Sequence, residues 1–131
     1  DRLPMRTEFN PTGKMLELVA GRFDGCQTRL ELALNEAYEE CGANIREDQI
    51  EFLNNAQPLA VTSGSSTEKS FLAYAEIDSS QLEDDRIFGL ADEHERIIRH
   101  LVPVEDFAKM IYDEIRIMTL AQWFLLNKAR R

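Results

Sequence analysis

Three glutamates, Glu36, Glu39 and Glu40, crowd into one short run, NEAYEECG, of a chain whose formal net charge is already −9. On a helix advancing about 100° per residue, Glu40 lies roughly 40° to one side of Glu36 and Glu39 roughly 60° to the other, so the carboxylates share an edge. Each like-charge pair at such spacing costs an isolated helix about 0.2 to 0.5 kcal/mol, and the negative end of the helix dipole aggravates it. Local propensity alone does not choose this arrangement. Oxygen donors so placed suit a hard cation such as Mg²⁺ or Mn²⁺, which turns repulsion into coordination. The same spacing also describes an acidic face turned to water, and spacing does not decide between the two.

The segment that must carry these side chains reads as a helix beginning at Thr28. Leu30, Ala33, Leu34, Ala37 and Cys41 recur at three- and four-residue steps as one apolar stripe, and Gly42 is a natural stop. Ahead of it, Lys14 to Val19 reads as a strand and Gly21 to Gly25 as a loop. Downstream, Gln49 to Leu53, Glu68 to Ile77 and Arg96 to Val102 are strand candidates, the last punctuated by Pro103. Helices are expected over Val104 to Tyr112, with Phe107, Met110 and Ile111 on one face, and over Ile115 to Asn127, with Ile117, Leu120, Ala121, Phe124 and Leu125. Strands mixed with a few helices predict an α/β or α+β domain in which helices cover a sheet.

At 131 residues with 44% apolar content, the chain is long enough for one domain with a single core. No run reaches the roughly 18 to 20 apolar residues of a membrane helix, and the start lacks a signal-peptide pattern, so no membrane role and a cytoplasmic location are expected. Cys26 and Cys41 make no disulfide framework, in keeping with a reducing compartment. The acidic balance argues against a nucleic-acid partner, which needs a basic stripe. It does not exclude phosphorylated small molecules, because divalent cations invert the local field. His94 and His100 have no zinc-site spacing, and neither a G-x-S-x-G elbow nor a phosphate-binding GxxxxGK[ST] loop is present.

From Gly21 the chain reads GRFDGCQTRLELALNEAYEECGA. This resembles the Nudix box of pyrophosphohydrolases: glycine, five residues, glutamate, seven residues, then Arg-Glu-apolar-any-Glu-Glu-any-Gly-apolar. Gly21, Glu36, Ala37, Glu39, Glu40, Gly42 and Ala43 fall in register, whereas Gln27 stands where the family has glutamate and Asn35 where it has arginine. Glu17 to Gly21 (ELVAG) is similar to the strand-to-loop passage of the ADP-ribose and ADP-sugar pyrophosphatase branch, and Pro58, fifteen residues beyond Ala43, has a spacing associated with that branch. Gly89 to Ile97, GLADEHERI, is similar to the acidic loop GLAEENEDI of bacterial ADP-ribose pyrophosphatases, and DEIRIMTLAQWFLL looks like their final helix. The family's N-terminal strands, which often help build the dimer and the pocket, have no counterpart in the sequence.

The resemblance implies a Nudix fold, a mixed β-sheet sandwiched between α-helices, over residues 1 to 131 as a single domain. It implies hydrolysis of the diphosphate in ADP-ribose or a related nucleoside diphosphate sugar, with Mg²⁺ or Mn²⁺ as cofactor, in a homodimer. Glu36 and Glu40 correspond to the principal metal ligands, Glu39 to an assisting one, and the carbonyl of Ala20 completes the shell. Glu93 is placed as general base and Glu95 as a further ligand. Arg2, in Arg2-Leu3-Pro4, resembles an arginine that reaches substrate, and Glu68 with Lys69 follows TSGSST much as Glu-Arg follows a glycine-rich loop in relatives. Asn35 can only hydrogen-bond where arginine would pair with a box glutamate. Gln27 removes a charge that Glu31, a turn later, partly replaces. Weaker or altered metal use is therefore expected, and a nucleotide-binding module without catalysis is the alternative. A plain acidic interaction domain would require the GLADEHERI match to be coincidence.

Overall fold

In the computed structural model the described residues are 18–25, 27–61, 63–90, 96–110 and 115–128. They fall into two compact units, one spanning Val19–His100 and the other holding Leu18 with the described residues from Leu101 onward. Both helix and strand are present, and the class is α+β.

The first unit is organised around α1, Arg29–Cys41. Thr28 caps it from an extended backbone, its Oγ1 accepting from Glu31 N–H at 3.1 Å, and Glu31 also sets a negative charge against the positive end of the dipole. Gly42 ends it in the left-handed region (φ 68°), where its N–H donates to Tyr38 O and that of Ala43 to Ala37 O. The helix anticipated from Thr28 and Gly42 is therefore present between them.

Six short strands follow: β1 (Ile50–Phe52), β2 (Leu59–Ala60), β3 (Lys69–Ser70), β4 (Ala73–Ala75), β5 (Ile87–Phe88) and β6 (Ile97–Ile98). β1 pairs with β4, β2 with β3 and β5 with β6, all antiparallel, giving three separate two-stranded ladders among the described residues. That differs from the mixed sheet between helices implied by the resemblance. The expected strand from Glu68 to Ile77 is two strands with a break at Phe71 and Leu72. There Phe71 turns its ring edge-on to Phe23 while Leu72 O accepts from Leu53 N–H. Of Arg96 to Val102, Ile97–Ile98 alone is strand, and β2 and β5 were not foreseen. Lys14 to residue 17 lie outside the described residues, and Leu18 and Val19 carry no regular structure.

Other contacts tie the connections together. Residues 42 to 44 run beside 81 to 83 through the Ala43–Leu82 bridge, Glu83 N–H to Gly42 O (2.8 Å) and Asn44 N–H to Gln81 O (2.8 Å). Gln49 and Gln81 exchange side-chain amide bonds at 3.0 and 2.7 Å, and Gln81 also donates to Asn44 O. Asn54, Asn55 and Ala56 form a left-handed turn (φ 59°, 50° and 59°), held where Arg29 Nη1 donates to Ala56 O and its guanidinium stacks on Phe52 and Phe71. The buried apolar residues of this unit are Leu32, Ala37, Ala43, Leu53 and Phe88, the last completely enclosed.

The second unit contains α2 (Val104–Phe107) and α3 (Ile115–Asn127). α2 is shorter than expected, ending before Met110, and 111–114 lie outside the described residues. α3 has the expected bounds. Ile117 and Ala121 are buried, with Leu120, Phe124 and Leu125 half-buried on the same stripe, and Phe124 meets Phe107 edge-on at 6.3 Å. No helix among the described residues is long and apolar enough to cross a membrane.

Candidate functional site

Glu36, Glu39 and Glu40 all project from the last two turns of α1, and all three are half-buried. Leu32, one turn earlier, lies in angle between Glu36 and Glu39 and is 7% exposed, so this edge of the helix is covered by protein. The three glutamates themselves keep part of their surface in water. Part of that cover comes from the loop residues Ala20 and Gly21, which lie against Glu40 and Glu36.

Two contacts define how that loop sits. Ala20 N–H donates to Glu40 Oε1 at 2.8 Å. At the next residue, Gly21 presents bare backbone to Glu36, so that a Cβ built on it would stand 2.6 Å from Glu36 Oε1. Consecutive peptide units of one loop therefore touch two carboxylates one helical turn apart. A glycine at that point leaves Glu36 the rotamer it adopts, because any side chain there would occupy the space of Glu36. Glu39 is anchored through its main chain, its carbonyl accepting from Gly89 N–H at 3.0 Å.

The C-terminal end of α1, where these charges gather, has no basic residue of its own in its last turn. A distant cation takes that place. Arg99, just beyond β6, donates from Nη1 to Cys41 O at 2.8 Å, and its side chain is 9% exposed. Its guanidinium lies over the Phe88 ring, 5.1 Å from the centroid, with Arg86 stacked on the same residue at 4.3 Å. Phe88 in turn packs so closely on Gly42 that a Cβ there would meet its ring at 2.7 Å. Arg99 escaped the sequence reading because nothing in its spacing separates a buried arginine from a surface one. Cys41 donates its thiol to Ala37 O, and burial pushes that thiol up from its ordinary value.

Ala20, Glu36 and Glu40 are thus brought together, with Glu39 beside them on the same helix. Glu68 is exposed, and its N–H donates to Ser66 Oγ at 3.0 Å. Asn35 is exposed, and Glu31 serves the N-terminal cap. Arg2, Glu93 and Glu95 lie outside the described residues.

The oxygens brought together are those of the Glu36 and Glu40 carboxylates, the chemistry a hard divalent cation takes, while the main-chain group seen against them is the Ala20 N–H. Among the described residues no three His, Cys, Asp or Glu side chains gather into a metal-holding group. Mg²⁺ draws on one or two protein carboxylates and leaves its other positions to water and phosphate, so Glu36 and Glu40 with the Ala20 carbonyl fit in kind. No protein-family model matches the chain, and no curated protein matches it either.

Proposed function

We propose that the chain is a metal-dependent pyrophosphohydrolase of the Nudix kind, cleaving the diphosphate of ADP-ribose or a related nucleoside diphosphate sugar by attack of water at phosphorus. The observation that carries this reading is the closure of the glycine loop on the acidic edge, with Ala20 N–H on Glu40 and Gly21 against Glu36. Those residues correspond to the loop and ligands of the motif that GRFDGCQTRLELALNEAYEECGA resembles. Each side chain has a task in it. Glu36 and Glu40, with the Ala20 carbonyl and help from Glu39, hold Mg²⁺ or Mn²⁺; the cation, when bound, neutralises phosphate charge and acidifies water. Glu93 takes the proton of the attacking water, Glu95 is a further ligand, and Arg2 and Glu68 meet the substrate. The same reading makes the protein a homodimer.

A second reading, a nucleotide-binding module without turnover, is favoured by Asn35, which is exposed and lacks the charge to hold a neighbouring glutamate. Turnover of a small panel of nucleoside diphosphate sugars with Mg²⁺ and Mn²⁺ separates the two. In the hydrolase, Glu40→Gln abolishes cation-dependent cleavage. Unchanged turnover in that variant refutes the assignment, and nucleotide binding without turnover in the unaltered protein establishes the module.

A further inference from the structure

We infer that Arg99 is a positioning residue for the acidic edge, fixing from a separate hairpin the turn of α1 that carries Glu39 and Glu40. The inference rests on the hydrolase reading above, which makes those glutamates metal ligands. Its basis is the pair of main-chain contacts that bracket Glu40. Gly89, next to β5, donates to the carbonyl of Glu39 at 3.0 Å, and Arg99, next to β6, donates to the carbonyl of Cys41 at 2.8 Å. Since β5 and β6 are paired to one another, with Phe88 opposite Ile97, both contacts issue from one small ladder. Glu40 is the residue between the two anchored carbonyls, and its own carboxylate reaches Ala20 N–H.

A cation withdrawn from water to 9% exposure needs compensation. Asp85 supplies little of it, being 3.9 Å away and 81% exposed. Among the described residues its other partners are the carbonyl end of α1, which carries partial negative charge, and the face of Phe88. Phe88 is fully buried and lies against Gly42, the residue that ends the helix. Arg99 therefore ties the helix terminus, the ladder and the enclosed ring into one contact. Its planar guanidinium donates at its edge while stacking through its face, which a lysine ammonium cannot reproduce. Losing it releases the Cys41 carbonyl and lets the turn bearing Glu40 shift relative to Ala20.

The test compares unaltered protein with Arg99→Met, Arg99→Lys and Arg86→Met. Hydrolysis of ADP-ribose gives kcat, KM and the Mg²⁺ concentration at half-maximal rate. Calorimetric titration without nucleotide gives the Mn²⁺ affinity, which positioning weakens in Arg99→Met and leaves unaltered in Arg86→Met. Circular-dichroism melting shows each variant folded at the assay temperature. Arg86 is the control, because it also stacks on Phe88 yet donates to Ile87 O and not to the helix. Positioning lowers kcat in Arg99→Met by about 10- to 100-fold, the range for residues that orient metal ligands. It also raises the Mg²⁺ requirement with little change in KM. Arg99→Lys recovers part of kcat, and Arg86→Met stays near the unaltered protein. A folded Arg99→Met with unaltered kcat and Mg²⁺ requirement overturns the inference, however far its melting temperature falls. Should Arg99→Met not fold, Arg99→Lys decides: a several-fold loss of kcat with a raised Mg²⁺ requirement supports positioning, and unaltered values overturn it. Absence of both turnover and cation affinity in the unaltered protein overturns the hydrolase reading and this inference together, whereas turnover indifferent to Arg99 overturns this one alone.

Discussion

Gly21→Ala separates a role in holding the carboxylates from a role in holding the fold. The added methyl would stand within 2.6 Å of Glu36 Cγ, Cδ and Oε1 alike. Ordinary contact requires roughly 3.5 Å, so Glu36 must move by at least about 1 Å from Cγ outward, which takes a change of χ1 rotamer. What it displaces is one flexible side chain and no backbone atom, and the φ of Gly21 lies outside the left-handed region. A forced rotamer change in Glu36 costs about 0.5 to 1.5 kcal/mol, while replacing glycine at a compatible φ returns about 0.4 to 1 kcal/mol through the unfolded chain. Net stability therefore changes by less than about 1 kcal/mol, or a few degrees in Tm for a unit of this size. Cation binding is far more sensitive, because displacing a ligand by about 1 Å costs up to about 100-fold. Calorimetric titration of Mn²⁺ alongside thermal melting measures both. The expected result is a Tm near that of the unaltered protein with Mn²⁺ affinity reduced at least about tenfold. Unaltered affinity in a folded Gly21→Ala protein refutes the role given to Glu36, and a large fall in Tm refutes the account of the collision as one with a movable side chain.

Gly42→Ala behaves oppositely. With φ at 68° and a Cβ placed 2.7 Å from the Phe88 ring and 2.9 Å from Glu83 Cβ, the clash is with an enclosed ring and cannot be relieved cheaply. Backbone strain of about 1 kcal/mol and overpacking of about 1 to 3 kcal/mol lower Tm by about 8 to 16 °C in a thermal melt. Thr28→Ala removes the acceptor of Glu31 N–H and is expected to cost about 1 kcal/mol, read as a fall of about 4 °C in Tm. The Asp78 carboxyl is held below its ordinary value first by the Ser80 hydroxyl, then by backbone N–H groups. A depressed folded value means that this contribution is present above the unfolded pKa and is lost as pH falls through the folded one. Ser80→Ala should therefore move the Asp78 titration, followed by NMR, upward; an unmoved midpoint removes the hydroxyl as its cause.

The helix was legible because local chemistry marks both of its ends: Thr28 supplies an acceptor for a first-turn N–H and Gly42 adopts a backbone that other residues resist. Its charged edge was legible as geometry, but its half-burial was not. Leu32 falls outside the three- and four-residue stripe, and it is buried because the side of the helix opposite that stripe is covered as well. Strand bounds failed for a related reason. Glu68 to Ile77 looks continuous, yet Phe71 leaves the ladder for Phe23 and Arg29, a choice made by residues more than forty positions away. Apolar content misled in Arg96 to Val102, where Ile98 and Leu101 are 62% and 70% exposed while the charged Arg99 is enclosed. A long side chain that stacks on an aromatic ring and caps a remote helix leaves no periodic trace. Within the candidate site, Ala20, Glu36 and Glu40 were named from sequence; the loop-to-helix hydrogen bond that joins them depends on tertiary folding.

The most direct measurement is calorimetric titration of Mn²⁺ into the unaltered protein and into Glu36→Gln and Glu40→Gln, in the absence of nucleotide. Saturable binding that either substitution weakens at least about tenfold is the expected result. No binding to the unaltered protein, or binding indifferent to both substitutions, contradicts a cation site on this edge of α1.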